Sequence, residues 1–550
     1  MAKGQKDAAG SRWIATLVLA ATALLCVLPF AWKGDPSGHD FEFHLSSWME
    51  VAHQWSQGIA YPRWAALAHF GYGEARFIFY PPLSWLLGAA LGTVMPWTFT
   101  PAVYVWVVLT VGGWCMYRLA REWLSEHDAI AAAMLYVVNP YHVVVVYWRS
   151  AYAELLADAF FPLLLLWVVR WRDRPRRAVV PLSLTLGAIW LSNAPAAVIA
   201  TYSVVLLAVV IWAVDRDWRV FACAVVAIAL ALALAAFYII PAAWEQKWVN
   251  IGEILSPGVR PAENFLFTNI ADPEHNTFNL LVSLVAVGEI VAVALGIVAL
   301  RRWRRERPNM WWPLFIWATT TTLLMLSVTN VFWEYLPKLK FVQLPWRWLV
   351  PLNVVFAITV AAAVRRKSGR VVVFALIAVW MFTLSSRVLP PWWDTAQDVE
   401  AIHRSIVKGA GYEGTDEYVP RGADPYEIKS DAARVEILSP ATGNVNIKEW
   451  RAESRAFTVD VSQPAQLALK LFNYPAWRVE VNGCAIETAT RDVTGQMLIS
   501  VPAGASEVAV RFTRTRDRKV GIAVSAVTGL LLIVIGVIGA RSRREPKLNR

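Results

Sequence analysis

Residues 346–387 read WRWLVPLNVVFAITVAAAVRRKSGRVVVFALIAVWMFTLSSR and decide the fold class of this chain. Two apolar runs, at 346–364 and 370–387, lie on either side of the cationic stretch 365–367. A helix that crosses a bilayer needs roughly 20 mainly apolar residues, and cationic connections stay in the cytoplasm. The stretch therefore predicts two transmembrane helices joined by a cytoplasmic turn.

The same pattern continues through most of the chain. Hydrophobic residues make up 57% of the 550 residues and charged residues only 17%, which is typical of a protein surrounded by lipid. Many of the 30 Trp lie at the edges of apolar runs, as in an aromatic belt. Eleven further apolar segments occur near 13–32, 80–97, 101–118, 128–146, 153–170, 178–191, 195–213, 220–241, 277–300, 310–328 and 519–540.

Clusters of Arg and Lys set the predicted orientation. They occur at 170–177, 301–307, 365–370 and 541–550, whereas the connections 33–79 and 242–276 hold more acids than bases. By the positive-inside rule both termini are cytoplasmic and the acidic loops are periplasmic, in a bacterial inner membrane. The net charge of +11 is thus assigned to topology, and no nucleic-acid partner is predicted.

Thirteen apolar segments cannot join two cytoplasmic termini if each crosses the membrane once. We expect 80–97 to be re-entrant or interfacial, because it begins with Pro81 and Pro82 and ends at Pro96. The alternative is that 178–213 forms one long, broken span. About twelve transmembrane helices result, the first of which, at 13–32, is expected to remain uncleaved because no small-residue cleavage site follows it.

Residues 388–518 differ in kind from the rest. Phe457–Val461, Trp477–Val481 and Val508–Phe512 alternate apolar and polar side chains, the period of half-buried strands. Asn482-Gly483 is a hairpin signal, since both residues tolerate positive φ. The predicted architecture is therefore a membrane domain at 1–387 with a long outer loop at 33–79, a periplasmic β-sandwich at 388–518, and a last helix with a basic tail at 519–550.

Chemistry-bearing residues begin immediately after the first helix. Asp40 and His44 are four residues apart and share one face if the segment is helical. A carboxylate and an imidazole so placed can share a proton, orient a hydroxyl nucleophile or hold a divalent cation such as Mg²⁺ or Mn²⁺. A hydrated loop with incidental charges is the plain alternative.

Several short motifs follow Asp40 and His44 along the chain. They are GYG at 71–73, YPPL at 80–83, YWRSAYAE at 147–154, QLPWRW at 343–348, NYPAWRV at 473–479 and VPAG at 501–504. As a set they resemble the bacterial membrane family named as related to 6-pyruvoyl-tetrahydropterin synthase. That family looks like part of the GT-C superfamily of integral-membrane glycosyltransferases, so the resemblance implies a GT-C-like helical bundle.

The resemblance also implies an activity. GT-C enzymes pass a sugar from a polyprenyl-phosphate carrier to an envelope glycan, lipid or protein acceptor at the outer face of the membrane. An acid in the first outer loop acts as base, which here is Asp40; His44 is a further catalytic candidate from its spacing to Asp40. Glu154, in the second outer loop of the predicted topology, corresponds to a second acid.

Cations at outer helix ends are the candidates for the carrier phosphate. Arg149 and Arg347 are preferred, with Lys338 and Lys340 as further candidates, although an Arg at a helix end can also reach simply for lipid headgroups. The remaining predicted substrate-binding residues are His39, Glu42, Arg63, Arg76, Tyr80, Tyr152 and Asn193. Metal dependence stays open, with Asp40 and His44 as the candidate ligands.

The sequence bears on three other functions. A non-catalytic scaffold or partner in polysaccharide export would use the β domain to bind other envelope proteins. A transporter is disfavoured because the chain shows no evident inverted repeat and few charges within its apolar segments. A soluble pterin-synthase activity would need a zinc-binding histidine cluster in a soluble domain, which the sequence lacks.

Overall fold

The computed structural model describes residues 2–173, 175–388 and 392–541. Helices dominate the part before residue 408, and strands dominate 435–512. The helices are α1 (Ala2–Val27), α2 (Phe30–Lys33), α3 (Phe41–Ser56), α4 (Ala68–Gly71), α5 (Arg76–Phe79), α6 (Pro82–Val94), α7 (Thr100–Ala120), α8 (Glu126–Val137), α9 (Pro140–Val144), α10 (Tyr152–Asp158), α11 (Phe161–Asp173), α12 (Pro175–Ser192), α13 (Ala194–Asp215), α14 (Arg219–Leu234), α15 (Ala236–Glu245), α16 (Pro273–Ala299), α17 (Trp303–Glu306), α18 (Pro308–Leu324), α19 (Asn330–Tyr335), α20 (Leu349–Ala363), α21 (Lys367–Ser386), α22 (Ala396–Val407) and α23 (Arg516–Arg541).

The helical part is a multi-pass membrane bundle. Among the described residues, nine helical segments are long and apolar enough to cross a membrane, and eleven spans result if each of two bent pairs counts as one. The nine are α1, α7, α8 with α9, α10 with α11, α13, α16, α20, α21 and α23. The bent pairs are α14 with α15, at 75°, and α18 with α19, at 90°.

Two apolar helices are shorter than a span. They are α6 and the apolar part of α12 at 178–192, which correspond to the segments 80–97 and 178–191. With 13 residues, α6 is roughly 20 Å long, well below the roughly 30 Å of hydrocarbon in a bilayer. The predicted polytopic helical class is confirmed. The predicted number of about twelve transmembrane helices would be reached if α12 crossed the membrane in addition to the eleven spans. Whether α6 or α12 crosses the membrane stays a prediction.

Two antiparallel sheets form the C-terminal region. Its strands are β3 (Val435–Ile437), β4 (Gly443–Trp450), β5 (Ser454–Val461), β6 (Ala465–Phe472), β7 (Trp477–Val481), β8 (Cys484–Ile486), β9 (Ala489–Thr490), β10 (Gln496–Val501) and β11 (Gly504–Phe512), preceded by the paired strands β1 (Asp35–Pro36) and β2 (Trp393–Asp394). One sheet has the order β3-β6-β10-β9 and the other β4-β5-β11-β7-β8. The inner faces share one apolar core that includes Phe457, Leu467, Val479 and Val508. The predicted β-rich C-terminal region is confirmed.

One end of the bundle collects the cationic connections, and we call it the basic end. It comprises the turns 121–125, 300–307 and 364–366 together with the end of α11. Three contacts join these parts, namely Arg170 with Glu122, Arg307 with the carbonyl oxygen of Trp123, and Arg370 with Asp128. Arg170, Arg307 and Arg370, from three of the four clusters that were predicted to share the cytoplasmic side, therefore lie at one end, while the side of the membrane they face remains a prediction. The fourth cluster, 541–550, lies outside the described residues apart from its first residue.

The opposite end carries the first long loop and the sheets, and we call it the cavity end. Here β1 pairs with β2 through Asp35 and Asp394, so the start of the loop is joined to the start of the C-terminal region. Arg63 of the loop binds Glu453 with 2.6 Å between Nη2 and Oε2. The first loop and the C-terminal region thus form one continuous layer over the helices.

Candidate active site

Asp40 lies immediately before helix α3, at the base of the first loop. Its backbone N–H donates to the carbonyl oxygen of Arg149 at 2.8 Å, and the N–H of Gly38 donates to Ser150 Oγ at 3.1 Å. A Cβ on Gly38 would lie 2.6 Å from the carbonyl carbon of Arg149, so glycine is required for this close approach. Asp40 is thereby fixed against the turn that carries Arg149.

That turn interrupts the helical path of the chain. Val145–Arg149 form one π-helical turn, and Ser150 follows in the left-handed region with φ of 50°. Helix α10 then begins at Tyr152 and places Glu154 in its first turn. Irregular backbone of this kind is concentrated at functional sites. The break brings the guanidinium of Arg149 onto the carboxylate of Glu154.

Glu154 is the centre of a buried charge cluster. Its Oε2 accepts hydrogen bonds from Arg149 Nη1 at 2.6 Å and from Arg347 Nε at 2.9 Å, while Oε1 accepts one from the hydroxyl of Tyr141 at 2.5 Å. The side chains of Glu154, Arg149 and Arg347 are all buried. The predicted second acid is therefore fully engaged by protein groups, and it fixes the positions of both guanidinium groups.

Asp40 contacts the same guanidinium in a different environment. Its Oδ2 is 3.6 Å from Nη2 of Arg149. The Asp40 side chain is 41% exposed, against 2% for that of Glu154. The two acids predicted from separate loops therefore converge on one cation, the first accessible and the second enclosed.

A cavity of about 550 Å³ opens beside this cluster. Nine of the sequence-predicted residues line it: His39, Asp40, His44, Tyr80, Arg149, Glu154, Asn193, Lys338 and Arg347. Phe43, Phe79, Trp190 and Phe341 add apolar surface. A concave site of this size, mostly apolar with a few convergent polar groups, is typical of a small-molecule site.

His44 contributes a neutral imidazole to the cavity wall. Its backbone N–H donates to the carbonyl oxygen of Asp40 at 3.1 Å, which confirms the helical spacing of the pair. Burial lowers the pKa of His44 to about 4. Among the described groups, its Nε2 has no hydrogen-bond partner. A buried polar atom left without a partner costs free energy that a ligand could recover.

A metal site does not fit the residues present. Within residues 2–173, 175–388 and 392–541, no group of three His, Cys, Asp or Glu side chains could hold a metal ion. Asp40 and His44 therefore lack a third protein ligand among the described residues, and we derive no chemical step through a metal.

Five predicted site residues do not line the cavity. Arg63 binds Glu453, and Arg76 is buried with its Nε 2.5 Å from Glu74 Oε1. Glu42 is exposed on α3. Tyr152 is buried and stacks on Trp48 with ring centroids 5.5 Å apart, and Lys340 Nζ lies 5.4 Å from the centre of the Phe341 ring. The structure therefore leaves these five residues outside the cavity lining.

Several cavity residues were missed by the sequence analysis. Gln343 accepts a hydrogen bond from Arg347 Nη1 at 3.0 Å, and its own Nε2 donates to the carbonyl oxygen of Ile254 at 2.7 Å. Thr415, Glu417 and Tyr418 reach the cavity from the connection between α22 and the sheets. Gln343 lies inside the QLPWRW motif and could have been found there, whereas 415–418 carries no such signal.

Comparison with a family model identifies a match over most of the membrane region. Residues 77–392 match the 6-pyruvoyl-tetrahydropterin synthase related domain, which is described as a membrane protein. This confirms the resemblance that the motifs indicated. Among curated protein sequences, no match to the chain is found.

Comparison with solved structures gives distant likenesses to glycosyltransferases. The arabinofuranosyltransferase AftD from Mycobacteria is 18% identical with a TM-score of 0.44, and the match covers 68% of this chain but only 27% of AftD. ArnT from Cupriavidus metallidurans, bound to undecaprenyl phosphate, is 13% identical with a TM-score of 0.45 over 72% of this chain and 76% of its own. The Archaeoglobus fulgidus oligosaccharyltransferase is 16% identical with a TM-score of 0.38 over 74% and 56%. Likenesses this distant assign no activity to the chain.

Proposed function

The chain belongs to the family of membrane proteins related to 6-pyruvoyl-tetrahydropterin synthase, and from the geometry of its cavity we propose that it is a membrane glycosyltransferase. It moves a sugar from a polyprenyl-phosphate-linked donor to an envelope glycan, lipid or protein on the periplasmic side. The observation that carries the proposal is the guanidinium of Arg149, which contacts the buried Glu154 and the accessible Asp40 at the wall of one cavity.

The donor phosphate is assigned to the cationic wall. Arg347 donates hydrogen bonds from Nε to Glu154 Oε2 and from Nη1 to the carbonyl oxygen of Val342 and to Gln343 Oε1. Among the contacts of the described residues, its Nη2 makes no hydrogen bond. Nη2 of Arg149 lies 3.6 Å from Asp40 Oδ2 and, among the contacts of the described residues, makes no hydrogen bond. Guanidinium groups held rigidly in this way suit the oxygens of a phosphodiester. Lys338, which also lines the cavity, adds a third positive charge.

The reaction is a single displacement at the anomeric carbon of the donor sugar. The acceptor hydroxyl oxygen bonds to that carbon, the bond from the carbon to the phosphate oxygen breaks, and its electron pair leaves with polyprenyl phosphate. The carboxylate of Asp40 takes the acceptor proton. Arg149 and Arg347 stabilise the charge that develops on the leaving phosphate. A single displacement inverts the anomeric configuration.

Glu154 has a positioning role in this proposal. Both of its oxygens accept hydrogen bonds, from Arg149, Arg347 and Tyr141, and its side chain is buried, so it is less available to an acceptor than Asp40 is. Its charge compensates the two guanidinium groups and holds them at fixed separation for the phosphate. The proton acceptor is therefore Asp40 alone of the two predicted acids.

The test is a profile of lipid-linked sugars in a deletion strain and in strains complemented with variants. One polyprenyl-phosphate sugar is expected to accumulate in the deletion strain and in the Asp40→Asn strain, and to disappear on complementation with the wild type. Glu253→Gln, which removes an exposed acid that does not itself line the cavity although its neighbours Ile251 and Ile254 do, should complement fully.

The competing function is a non-catalytic scaffold in polysaccharide assembly. It requires that Asp40→Ala and Asp40→Asn both complement the deletion while reaching wild-type levels in the membrane. A deletion strain without any accumulated lipid-linked sugar would also contradict the transferase.

A further inference from the structure

The connection between α22 and the sheets is held tightly to the first loop. Tyr412 donates its hydroxyl hydrogen to Glu50 Oε2 at 2.5 Å and its backbone N–H to the carbonyl oxygen of Leu67 at 3.1 Å. Gly411 has φ of 84°, and a Cβ there would lie 2.4 Å from the carbonyl oxygen of Leu67. The segment 411–418, which we call the connecting loop, is thus fixed although it contains little regular structure.

A second anchor lies three residues further on. The N–H of Thr415 donates to Glu74 Oε2 at 2.8 Å, and its hydroxyl donates to Oε1 at 3.2 Å. Glu74 is itself bound by Arg76 at 2.5 Å and by His69 at 2.9 Å. The buried charges of the first loop therefore fix the connecting loop at the point where it reaches the cavity.

Glu417 is placed at the cavity by these anchors. The connecting loop has three acids, and among the described residues only Glu417 lines the cavity. Asp416 accepts a hydrogen bond from the hydroxyl of Tyr426 at 2.9 Å, and Glu413 is exposed. Beside Glu417, the ring of Tyr418 stacks parallel to that of Phe79 with centroids 5.9 Å apart.

The charges that line the cavity restrict what can bind beside the donor. The described lining contains the carboxyl groups of Asp40, Glu154 and Glu417 and the cationic groups of Arg149, Lys338 and Arg347. When Glu417 is ionised, a phosphodiester adds one negative charge to this balanced set. A second anion would then be repelled at short range, whereas sugar hydroxyls would donate hydrogen bonds to a carboxylate that has no cation partner among the described contacts.

We propose that Glu417, with Tyr418 beside it, binds a neutral sugar of the acceptor and so makes the acceptor an uncharged glycan. This inference rests on the proposed function and narrows its acceptor from glycan, lipid or protein to one class. The carboxylate of Glu417 accepts hydrogen bonds from sugar hydroxyls, and the atoms of Phe79 and Tyr418 that line the cavity contact the apolar part of the sugar. Asp40 remains the proton acceptor, and Glu417 is a specificity-determining residue.

The test uses the full-length protein in lipid nanodiscs. The donor is the polyprenyl-phosphate sugar that accumulates in the deletion strain, and the acceptors are envelope glycans of that strain separated into neutral and anionic fractions. With the neutral fraction, Glu417→Gln should raise the acceptor KM about 10- to 100-fold, the range for a lost hydrogen bond to a charged group. The kcat and the donor KM should stay within about twofold of wild type.

Asp416→Asn is the matched control, since it removes the neighbouring charge without touching the cavity lining. It should leave the acceptor KM unchanged, and equal thermal unfolding temperatures of both variants would exclude a folding defect. An unchanged acceptor KM in Glu417→Gln, or a preference of the wild type for the anionic fraction, would overturn the inference while leaving the transferase intact. A wild-type protein that transfers sugar to neither fraction would instead contradict the proposed function itself.

The pH dependence gives a second readout. Burial raises the pKa of Glu417 to about 7, with a backbone hydrogen bond and Arg76 opposing the rise and Glu74 and Asp416 adding to it. The acceptor KM of the wild type should therefore increase as the pH falls below about 7, because the protonated acid accepts fewer hydrogen bonds. In Glu417→Gln this dependence should vanish, and its persistence would assign the titration to another group.

Discussion

The two ends of the helical bundle use the same residue types for different purposes. At the basic end Arg170 pairs with Glu122 at 2.5 Å while both side chains stay partly exposed, at 38% and 26%. At the cavity end Arg149 and Arg347 share Glu154, and all three side chains are buried. Exposed pairs of this kind contribute little to stability, whereas a buried cluster is strongly destabilised when one partner is removed. The comparison teaches that burial and shared partners, rather than the number of Arg residues, distinguish the cations that we propose to be functional.

The largest expected loss of stability comes from removing the carboxylate at the centre of the buried cluster. Glu154→Ala would leave the guanidinium groups of Arg149 and Arg347 buried without a counter-charge, which costs about 3–5 kcal/mol. Thermal unfolding in detergent should show a sharp loss of stability or no folded protein. If Glu154→Ala were as stable as the wild type, the buried ion pairs of the cavity end would contribute no more to stability than the exposed pairs of the basic end.

Acid should weaken the cavity end through Glu74. Burial pushes the pKa of Glu74 up, but Arg76 and His69 outweigh it and lower the pKa to about 2, from an ordinary value of 4.5. A carboxylate whose pKa is lowered on folding stabilises the protein above its unfolded pKa and loses that contribution as the pH falls. The wild type should therefore lose about 3 kcal/mol between about pH 4.5 and 2.

The measurement is the unfolding temperature against pH for the wild type and Glu74→Gln. Glu74→Gln should start less stable at neutral pH and change less over the acid range. Parallel curves for the two proteins would show that the connecting loop is not held by the charge of Glu74.

Replacing Arg347 by Lys tests what the planar guanidinium contributes to the proposed donor site. A Lys has one nitrogen and cannot reproduce the contacts to Glu154, Val342 and Gln343 while also meeting a phosphate. We expect the affinity for undecaprenyl phosphate in nanodiscs to fall about tenfold, roughly 1.4 kcal/mol. Arg370→Lys at the basic end is the control and should bind like the wild type.

The smallest effect is expected at the basic end. Glu122→Gln breaks a partly exposed pair with Arg170, and such pairs are worth about 0–1 kcal/mol. The unfolding temperature and the sugar-lipid profile should stay close to those of the wild type. A loss comparable to that of Glu154→Ala would show that the basic end also depends on its ion pairs.

The sequence predicted the helices and strands well because each depends on a local period. All thirteen apolar segments correspond to helices. The alternating stretch Trp477–Val481 is β7, and Asn482 and Gly483 adopt positive φ in the turn after it. Composition and period decide such elements within a few residues, so no distant contact had to be known.

The site was predicted only in part because its geometry depends on contacts between distant segments. Arg149 and Arg347 could be proposed because each lies within a recognisable motif at a helix end, and Asp40 because it comes soon after the first apolar segment. Glu417 could not, since its position depends on the bonds of Thr415 to Glu74, 341 residues earlier. The spacing of residues in the sequence likewise could not indicate that Glu154 pairs with two guanidinium groups. Because of this pairing we assign Glu154 a positioning role instead of a catalytic one.

The connecting loop also bears on how far this protein can be divided into modules. The change in composition at residue 387 separates a lipid-embedded portion from a strand-rich one, yet the cavity receives Thr415, Glu417 and Tyr418 from beyond that boundary. A chimera that joins the first 387 residues of one relative to the remainder of another would therefore have a cavity lined by residues from both proteins. Residues that contact each other across this boundary must therefore be inherited together, and the two regions of different composition are not independent units.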